Sequence, residues 1–312
     1  MSNKVPVLLI VFNRIECAKQ VFESVKSYKP QELFIAADGP REDRNGEDAK
    51  CNEVREWLVS NVDWECNVHT RFLNKNVGCG YGPSSAISWF FENVKEGVIL
   101  EDDCIPTREF YDFAALMLDH YRNDKRIMAI DSCNFQSQKW GNGSYYFSMQ
   151  NGPFCAWATW RRAWDSFEFT LRDFSKNDIA RYIRKYGVTK LERKWWVDIF
   201  NNFKAGSYGT SSWDYQFIFA IWKYHGMSII PNVNMSTNIG FGSDATHTKD
   251  PNVSIANRPT QNLGQIIHPS EIEICREADL FYHNFYYRRW QEIVPWYKRL
   301  KRFIKRIIGF AR

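Results

Sequence analysis

The sequence predicts an α/β fold: a mostly parallel sheet flanked by helices. Three observations predict it: strand-length apolar runs, segments of helical period alternating with them, and charged side chains where the strands should end. "VPVLLIVF" (5–12) is a continuous apolar run suited to a buried strand, and Ile15, Ala18, Phe22 and Val25 then recur at helical spacing until Pro30 stops the pattern. "ELFIAADG" (32–39) is the next strand with a glycine turn. An acidic loop, 41–48, leads to a polar helix that turns Val54, Trp57 and Leu58 inward, and "VHTRF" (68–72) is a third strand. Glycines in "NKNVGCGYG" break the chain, "SSAISWFFENV" is a helix, and "GVIL" is a fourth strand. The second half, 131–292, is rich in Trp, Tyr and Phe and reads as mixed structure completing the same domain.

The composition sets bounds on what the chain does. With 312 residues, 44% hydrophobic, it has enough apolar material for a substantial core. Its 41 Lys and Arg against 36 Asp and Glu give +5, too mild an excess to imply nucleic acid. Eight scattered cysteines show neither CxxC nor zinc spacing, so they read as reduced thiols. The amino terminus has too short an apolar run for a signal segment, and no stretch approaches eighteen uninterrupted apolar residues; a cytoplasmic protein is expected.

"GVILEDDCIP" places Glu101, Asp102 and Asp103 in a row where the fourth strand ends. Adjacent carboxylates repel one another, so either this is a solvated turn or something positive sits among them. A hard divalent cation takes oxygen ligands, and Mg²⁺ or Mn²⁺ uses one or two protein carboxylates with phosphates and water completing the set. On a strand Glu101 and Asp103 would project together and Asp102 away, unless the turn has already begun. Ligands of such sheets bind beyond the carboxyl ends of the strands, where Arg14, Asp38 and the triplet all fall. Phosphohydrolases, kinases and nucleotide-sugar transferases share these features. The absence of GxxxxGK[ST] and of GxGxxG disfavours P-loop and dinucleotide sites, and a first strand ending Phe12-Asn13-Arg14 lacks the aspartate of a haloacid-type phosphatase.

The series "LLIVFNR", "FIAADGPR", "NVGCGYGPSSAISWFFENV", "GVILEDDCIP", "CAWATWRRAW", "SSWDYQF" and "NIGFGSDATHT" resembles the bacterial nucleotide-diphospho-sugar transferases, which are similar in turn to eukaryotic N-acetylglucosaminyltransferase I. The resemblance spans about residues 5–250. It implies a GT-A type, Rossmann-like glycosyltransferase that uses a nucleotide sugar and Mn²⁺ or Mg²⁺ and inverts the anomeric carbon. By that resemblance Glu101-Asp102-Asp103 is the DXD-type motif, with Asp103 the metal ligand and the two preceding acids reaching ribose and sugar hydroxyls. Arg14 then lies near the diphosphate, which a guanidinium matches in shape; otherwise it is a surface charge at a helix start. Asp38 corresponds to the acid that reads the uracil edge; otherwise it belongs to an ordinary Asp-Gly-Pro turn.

Inversion requires a base on the acceptor side of the donor sugar. Trp213-Asp214 resembles the Trp-Asp that holds it, with Asp198 and Asp244 as alternatives, and Trp213 and Trp157 are expected to stack on sugar faces. The loop 238–248 is expected to close over the diphosphate, with Ser243, Thr246 or His247 donating and His247 a phosphate contact or further metal ligand. Gly78-Cys79-Gly80-Tyr81-Gly82 is a candidate close approach to the nucleotide, although glycines at a βα turn need no ligand.

These readings divide the chain into a transferase domain, 1–292, with a nucleotide-sugar half (about 1–130) and an acceptor half (about 131–292), and a carboxyl-terminal helix, 293–312. Trp296, Leu300, Phe303, Ile304, Ile307 and Ile308 would form one apolar stripe there among seven basic residues, which suits an anionic leaflet; the alternative is a closing helix packed on the domain. The expected protein is cytoplasmic and peripheral on the inner face of a bacterial plasma membrane, transferring a sugar from a UDP-sugar, UDP-GlcNAc for example, to a lipid-linked glycan of surface polysaccharide or lipopolysaccharide. The rival readings are a metal-dependent sugar nucleotidyltransferase and a non-catalytic nucleotide-sugar-binding protein.

Overall fold

A computed structural model describes residues 4–136, 138–149, 155–186, 190–204, 212–241 and 256–287. The first half follows the predicted alternation: β1 (Val7–Val11), α1 (Ile15–Tyr28), β2 (Glu32–Ala37), α2 (Glu47–Ser60), β3 (Asn67–Phe72), α3 (Tyr81–Asn93) and β4 (Glu96–Glu101). A short strand β5 (Cys104–Pro106) and α4 (Arg108–His120) come next. The second half supplies β6 (Ile127–Asp131), β7 (Tyr145–Ser148), β8 (Trp157–Trp160), α5 (Arg161–Trp164), α6 (Lys176–Tyr186), α7 (Lys190–Lys204), α8 (Asp214–Lys223), β9 (Met227–Pro231), β10 (Ser236–Asn238) and α9 (Arg276–Tyr282). α9 runs on into a single π-helical turn, His283–Tyr287.

Eight strands form one sheet in the order β3-β2-β1-β4-β8-β6-β9-β7, and the observed class is the expected α/β one with a mostly parallel sheet flanked by helices. β1 pairs in parallel with β2 and with β4, and β2 with β3. β8 enters antiparallel between β4 and β6, so the sheet runs on from the first half of the chain into the second. Beyond it β9 is parallel to β6, and β7 closes the edge antiparallel.

Period-two alternation assigns each strand's side chains to two cores. Leu8, Ile10, Phe34, Ala36 and Ile99 face one side with Ile87 and Phe90 of α3 and Phe217 of α8. Val7, Leu9, Val11, Leu33, Ile35, Val98 and Leu100 face the other with Phe22 of α1, Leu58 of α2 and Phe113 of α4. A strand buried on both faces must be apolar throughout, which is why "VLLIV" shows no alternation in hydropathy. None of the helices among the described residues is long and apolar enough to cross a membrane. The expected carboxyl-terminal helix, 293–312, lies outside the described residues.

Candidate active site

The carboxyl ends of β1, β2 and β4 lie side by side because these strands are parallel neighbours, Ile10 standing opposite Glu101. Whatever follows each strand therefore meets at one edge. Glu101 is the last residue of β4, and the turn begins at Asp102. Strand alternation thus stops short of Asp103, and Asp102 and Asp103 meet the same partner rather than opposite faces.

That partner is Arg14, which precedes α1. Its Nη2 contacts Asp102 Oδ1 and lies 2.8 Å from Asp103 Oδ2, and Nε donates to Asp102 Oδ2 at 3.4 Å. Burial alone would lower the guanidinium's affinity for its proton, but Asp102 and Asp103 raise it well above the ordinary value. Asp102 is buried; burial and Asp103 push its carboxyl up, and Arg14 pulls it back without cancelling them. Among the described residues Glu101 has no such cation. Burial first, then Asp103, Asp102 and Asp214, push it up to about 8, against a single Trp213 Nε1 donor at 3.4 Å.

β5 and β10 pair antiparallel, Cys104 opposite Asn238, and this small ribbon lays the start of the loop 238–248 against the triplet. Ile239 N–H donates to the Asp103 carbonyl at 2.9 Å, and Asn238 Nδ2 approaches Asp103 Oδ1 at 3.5 Å. A Cβ on Gly240 would overlap Asp103 Oδ2, so the chain passes this close only as glycine. Asp244, Ser243, Thr246 and His247 belong to a segment outside the described residues.

Asp38 follows β2 and is half buried. Its carboxylate accepts from the backbone N–H groups of Gly39 (2.8 Å), Val77 (2.9 Å) and Gly78 (3.0 Å) and from Asn76 Nδ2 (3.1 Å). Burial raises its carboxyl despite these donors. Asp38 thus holds the β3–α3 loop, in which Gly78 takes a left-handed φ of 90°. That turn accounts for the glycine without a nucleotide. An open cavity of about 410 Å³ lined by Pro40, Arg41, Glu42, Asp43, Lys75 and Asn76 adjoins this loop.

Asp214 begins α8. Ser212 Oγ contacts its carboxylate, and the acid lies within electrostatic reach of Glu101 and Cys79. Trp213 therefore touches the triplet, and Asp214, the next residue, lies near it. Asp198 is exposed on α7. The expected sugar-stacking roles of Trp157 and Trp213 are corrected by the structure: Trp157 is 1% and Trp213 7% exposed, and their rings lie on one another at 5.5 Å between centroids. Trp157 sits on a central strand, where side chains on either face are covered by helices. Its burial fixes Trp213, and Trp213 in turn holds Glu101.

An aromatic pair escaped the sequence reading: exposed Tyr81 at the start of α3 meets half-buried Phe169 edge-on at 5.5 Å. No local pattern marks Phe169 as Tyr81's neighbour. Arg14's pairing was equally hidden, since 88 residues separate it from Asp102.

The site collects hard oxygen donors around the Arg14 guanidinium. Such a set fits a divalent cation bound through Asp103 with ligand phosphates supplying the rest. No group of three His, Cys, Asp or Glu among the described residues is placed to hold a metal ion by itself.

No family model matches the chain. No curated protein matches it either. Among solved structures the chain is similar to TarS residues 1–349 from S. aureus (12% identity, 66% of this chain and 72% of that chain, TM-score 0.38). It is similar also to the mannosyltransferase PcManGT from Pyrobaculum calidifontis, solved with GDP-Man and Mn²⁺ (12% identity, 72% and 70%, TM-score 0.38). A third, HddC from Yersinia pseudotuberculosis, shows 7% identity over 55% and 87% of the two chains, with a TM-score of 0.32. Likenesses this weak carry no inference about chemistry, which rests on the side chains above.

Proposed function

We propose that this protein is an inverting glycosyltransferase of the GT-A type, which moves a sugar from a nucleotide-diphospho-sugar, a UDP-sugar such as UDP-GlcNAc, to a lipid-linked glycan acceptor. The observation that carries the reading is the pairing of Asp102 and Asp103 with Arg14 beyond the end of β4, with Glu101 beside them and Asp214 within its electrostatic reach. A dense set of carboxylates with a single clamping guanidinium suits a cation and a diphosphate better than it suits any neutral ligand.

In this reading Asp103 holds Mn²⁺ or Mg²⁺, and the ion, when bound, neutralises the leaving diphosphate. Arg14 keeps Asp102 and Asp103 aligned and lends its charge to the same diphosphate. Glu101, held by Trp213, and Asp102 reach sugar and ribose hydroxyls. Asp38 shapes the loop at the nucleobase end, beside the cavity at Arg41 and Lys75. Asp214 accepts the proton of the acceptor hydroxyl, which then attacks the anomeric carbon from the face opposite the diphosphate. His247 contacts a phosphate from the loop that Gly240 starts.

The test is nucleotide release. With Mn²⁺ and a panel of nucleotide sugars, slow release of the nucleoside diphosphate is expected from one donor and is lost on chelation. Release of pyrophosphate from a nucleoside triphosphate and a sugar phosphate would instead identify a nucleotidyltransferase, and binding without any turnover would refute catalysis.

A further inference from the structure

The eight cysteines are scattered along the sequence, and the fold gathers three of them. Cys104 opens β5, Cys133 follows β6 and Cys155 precedes β8, and all three are buried. Cys155 hydrogen-bonds to both of the others. Cys133 Sγ lies 3.1 Å from Ser236 Oγ, which lies 2.6 Å from Ser132 Oγ. At the other end of the row Cys104 Sγ donates to Asp103 Oδ1 at 3.2 Å.

Proton counting gives this row a direction. A thiol has one proton to donate. Cys104 directs its proton to Asp103, so its sulfur accepts from Cys155; Cys155 then accepts from Cys133, and Cys133 from Ser236. Every link therefore points its donor toward the Asp103 carboxylate, and hydrogen bonds aligned in one sense polarise one another. The carboxylate's other oxygen, Oδ2, faces Arg14 Nη2 at 2.8 Å, and Asn238 Nδ2 stands 3.5 Å from both Asp103 Oδ1 and Cys104 Sγ. Packing alone would ask only for a small apolar side chain at position 104, and it would leave the direction of the thiol proton unexplained.

We propose that Cys104 is a positioning residue for the metal-binding carboxylate: its thiol, backed by Cys155 and Cys133, fixes the orientation of Asp103 for a divalent cation. The metal role of Asp103 rests on the glycosyltransferase reading. A carboxylate that ligates a metal keeps its orientation through outer hydrogen bonds, and losing one costs about 10- to 100-fold in metal affinity. A thiol is a weak donor, so it sets the rotation of the carboxylate while leaving its oxygens electron-rich for the ion.

The experiment measures the Mn²⁺ affinity of the full-length protein from the electron paramagnetic resonance signal of the free ion, alone and with UDP or GDP present. The parent is compared with Cys104→Ser, Cys104→Ala and Cys133→Ala. Ser and Ala at position 104 differ by one hydroxyl, so the pair isolates the donor from the packing. Cys104→Ala should weaken Mn²⁺ binding about tenfold, the low end of the range because a thiol is a weak donor, and Cys104→Ser should restore it to within about threefold of the parent. Cys133→Ala removes a buried thiol but leaves the Cys104 donor in place, and it should also stay within about threefold. Cys104→Ala should raise the Mn²⁺ concentration for half-maximal nucleotide release more than it lowers the maximal rate. If Cys104→Ala does not fold, Cys104→Thr against Cys104→Val makes the same comparison of donor with methyl. Equal Mn²⁺ affinity in Cys104→Ala and the parent, a loss that Cys104→Ser fails to restore, or the same loss in Cys133→Ala would overturn the positioning role and leave the transferase reading standing. Absence of Mn²⁺ binding by the parent in every condition would remove the metal role of Asp103 and this role with it.

Discussion

Replacing Arg14 with Met removes the guanidinium that touches both Asp102 and Asp103 and leaves an aliphatic chain of similar length. Breaking a buried ion pair from one side costs about 3–5 kcal/mol. Asp102 is 7% exposed and Arg14 24%, which places the expected loss at the lower end, about 3 kcal/mol at pH 7.5. At about 2 °C per kcal/mol for a chain of this size, the melting temperature should fall by about 6 °C. The loss should depend on pH. Asp102 already lies above its ordinary value in the folded protein, and without Arg14 it rises further. An acid raised by folding destabilises the protein at pH above its unfolded value, and the penalty disappears below it. The gap between Arg14→Met and the parent should therefore be widest near pH 7.5 and should close towards pH 4. Urea denaturation at both pH values measures it, and adding Asp102→Asn to the variant should recover most of the stability at pH 7.5. A loss below about 1 kcal/mol, or one that is the same at pH 4 and 7.5, would show that the pair is not the anchor of the triplet.

Four further outcomes follow from the site. Asp103→Ala should abolish metal-dependent UDP binding while the melting temperature without ligand holds, as isothermal titration with and without Mn²⁺ would show. Asp214→Asn should keep donor binding and lose turnover by roughly 100-fold or more; normal turnover there, with loss in Asp198→Asn or Asp244→Asn, would move the base. Gly240→Ala should cost metal-dependent donor binding at least about tenfold, because its Cβ displaces the Asp103 carboxylate. Glu101 is raised to about 8 on folding, so Glu101→Gln should stabilise the ligand-free protein by about 1–3 kcal/mol at pH 8.5, with the gain fading towards pH 4.5 in chemical denaturation.

The sequence by itself determined the strand and helix alternation of the first half, because a strand covered on both faces has to be apolar throughout and a helix covered on one face has to repeat at three and four residues. It also located the acids and Arg14 at strand ends, since in a parallel sheet the connection after each strand emerges at the same edge. What it left open were contacts between distant segments. A cation among the three acids was legible as a requirement, yet that Arg14 supplies one depends on β1 and β4 being hydrogen-bonded neighbours, which no local pattern encodes. Trp157 and Trp213 read alike as candidate sugar platforms; only the insertion of β8 between β4 and β6 buries the first, and Trp213, itself buried against it, supports Glu101. Asp38 reads as a turn residue or a ligand contact, and only the fold shows that backbone amides of the β3–α3 loop donate to its carboxylate. Periodicity records which face of an element is covered, whereas the partner across a sheet is chosen by strand order, and that order is fixed only when the whole chain packs.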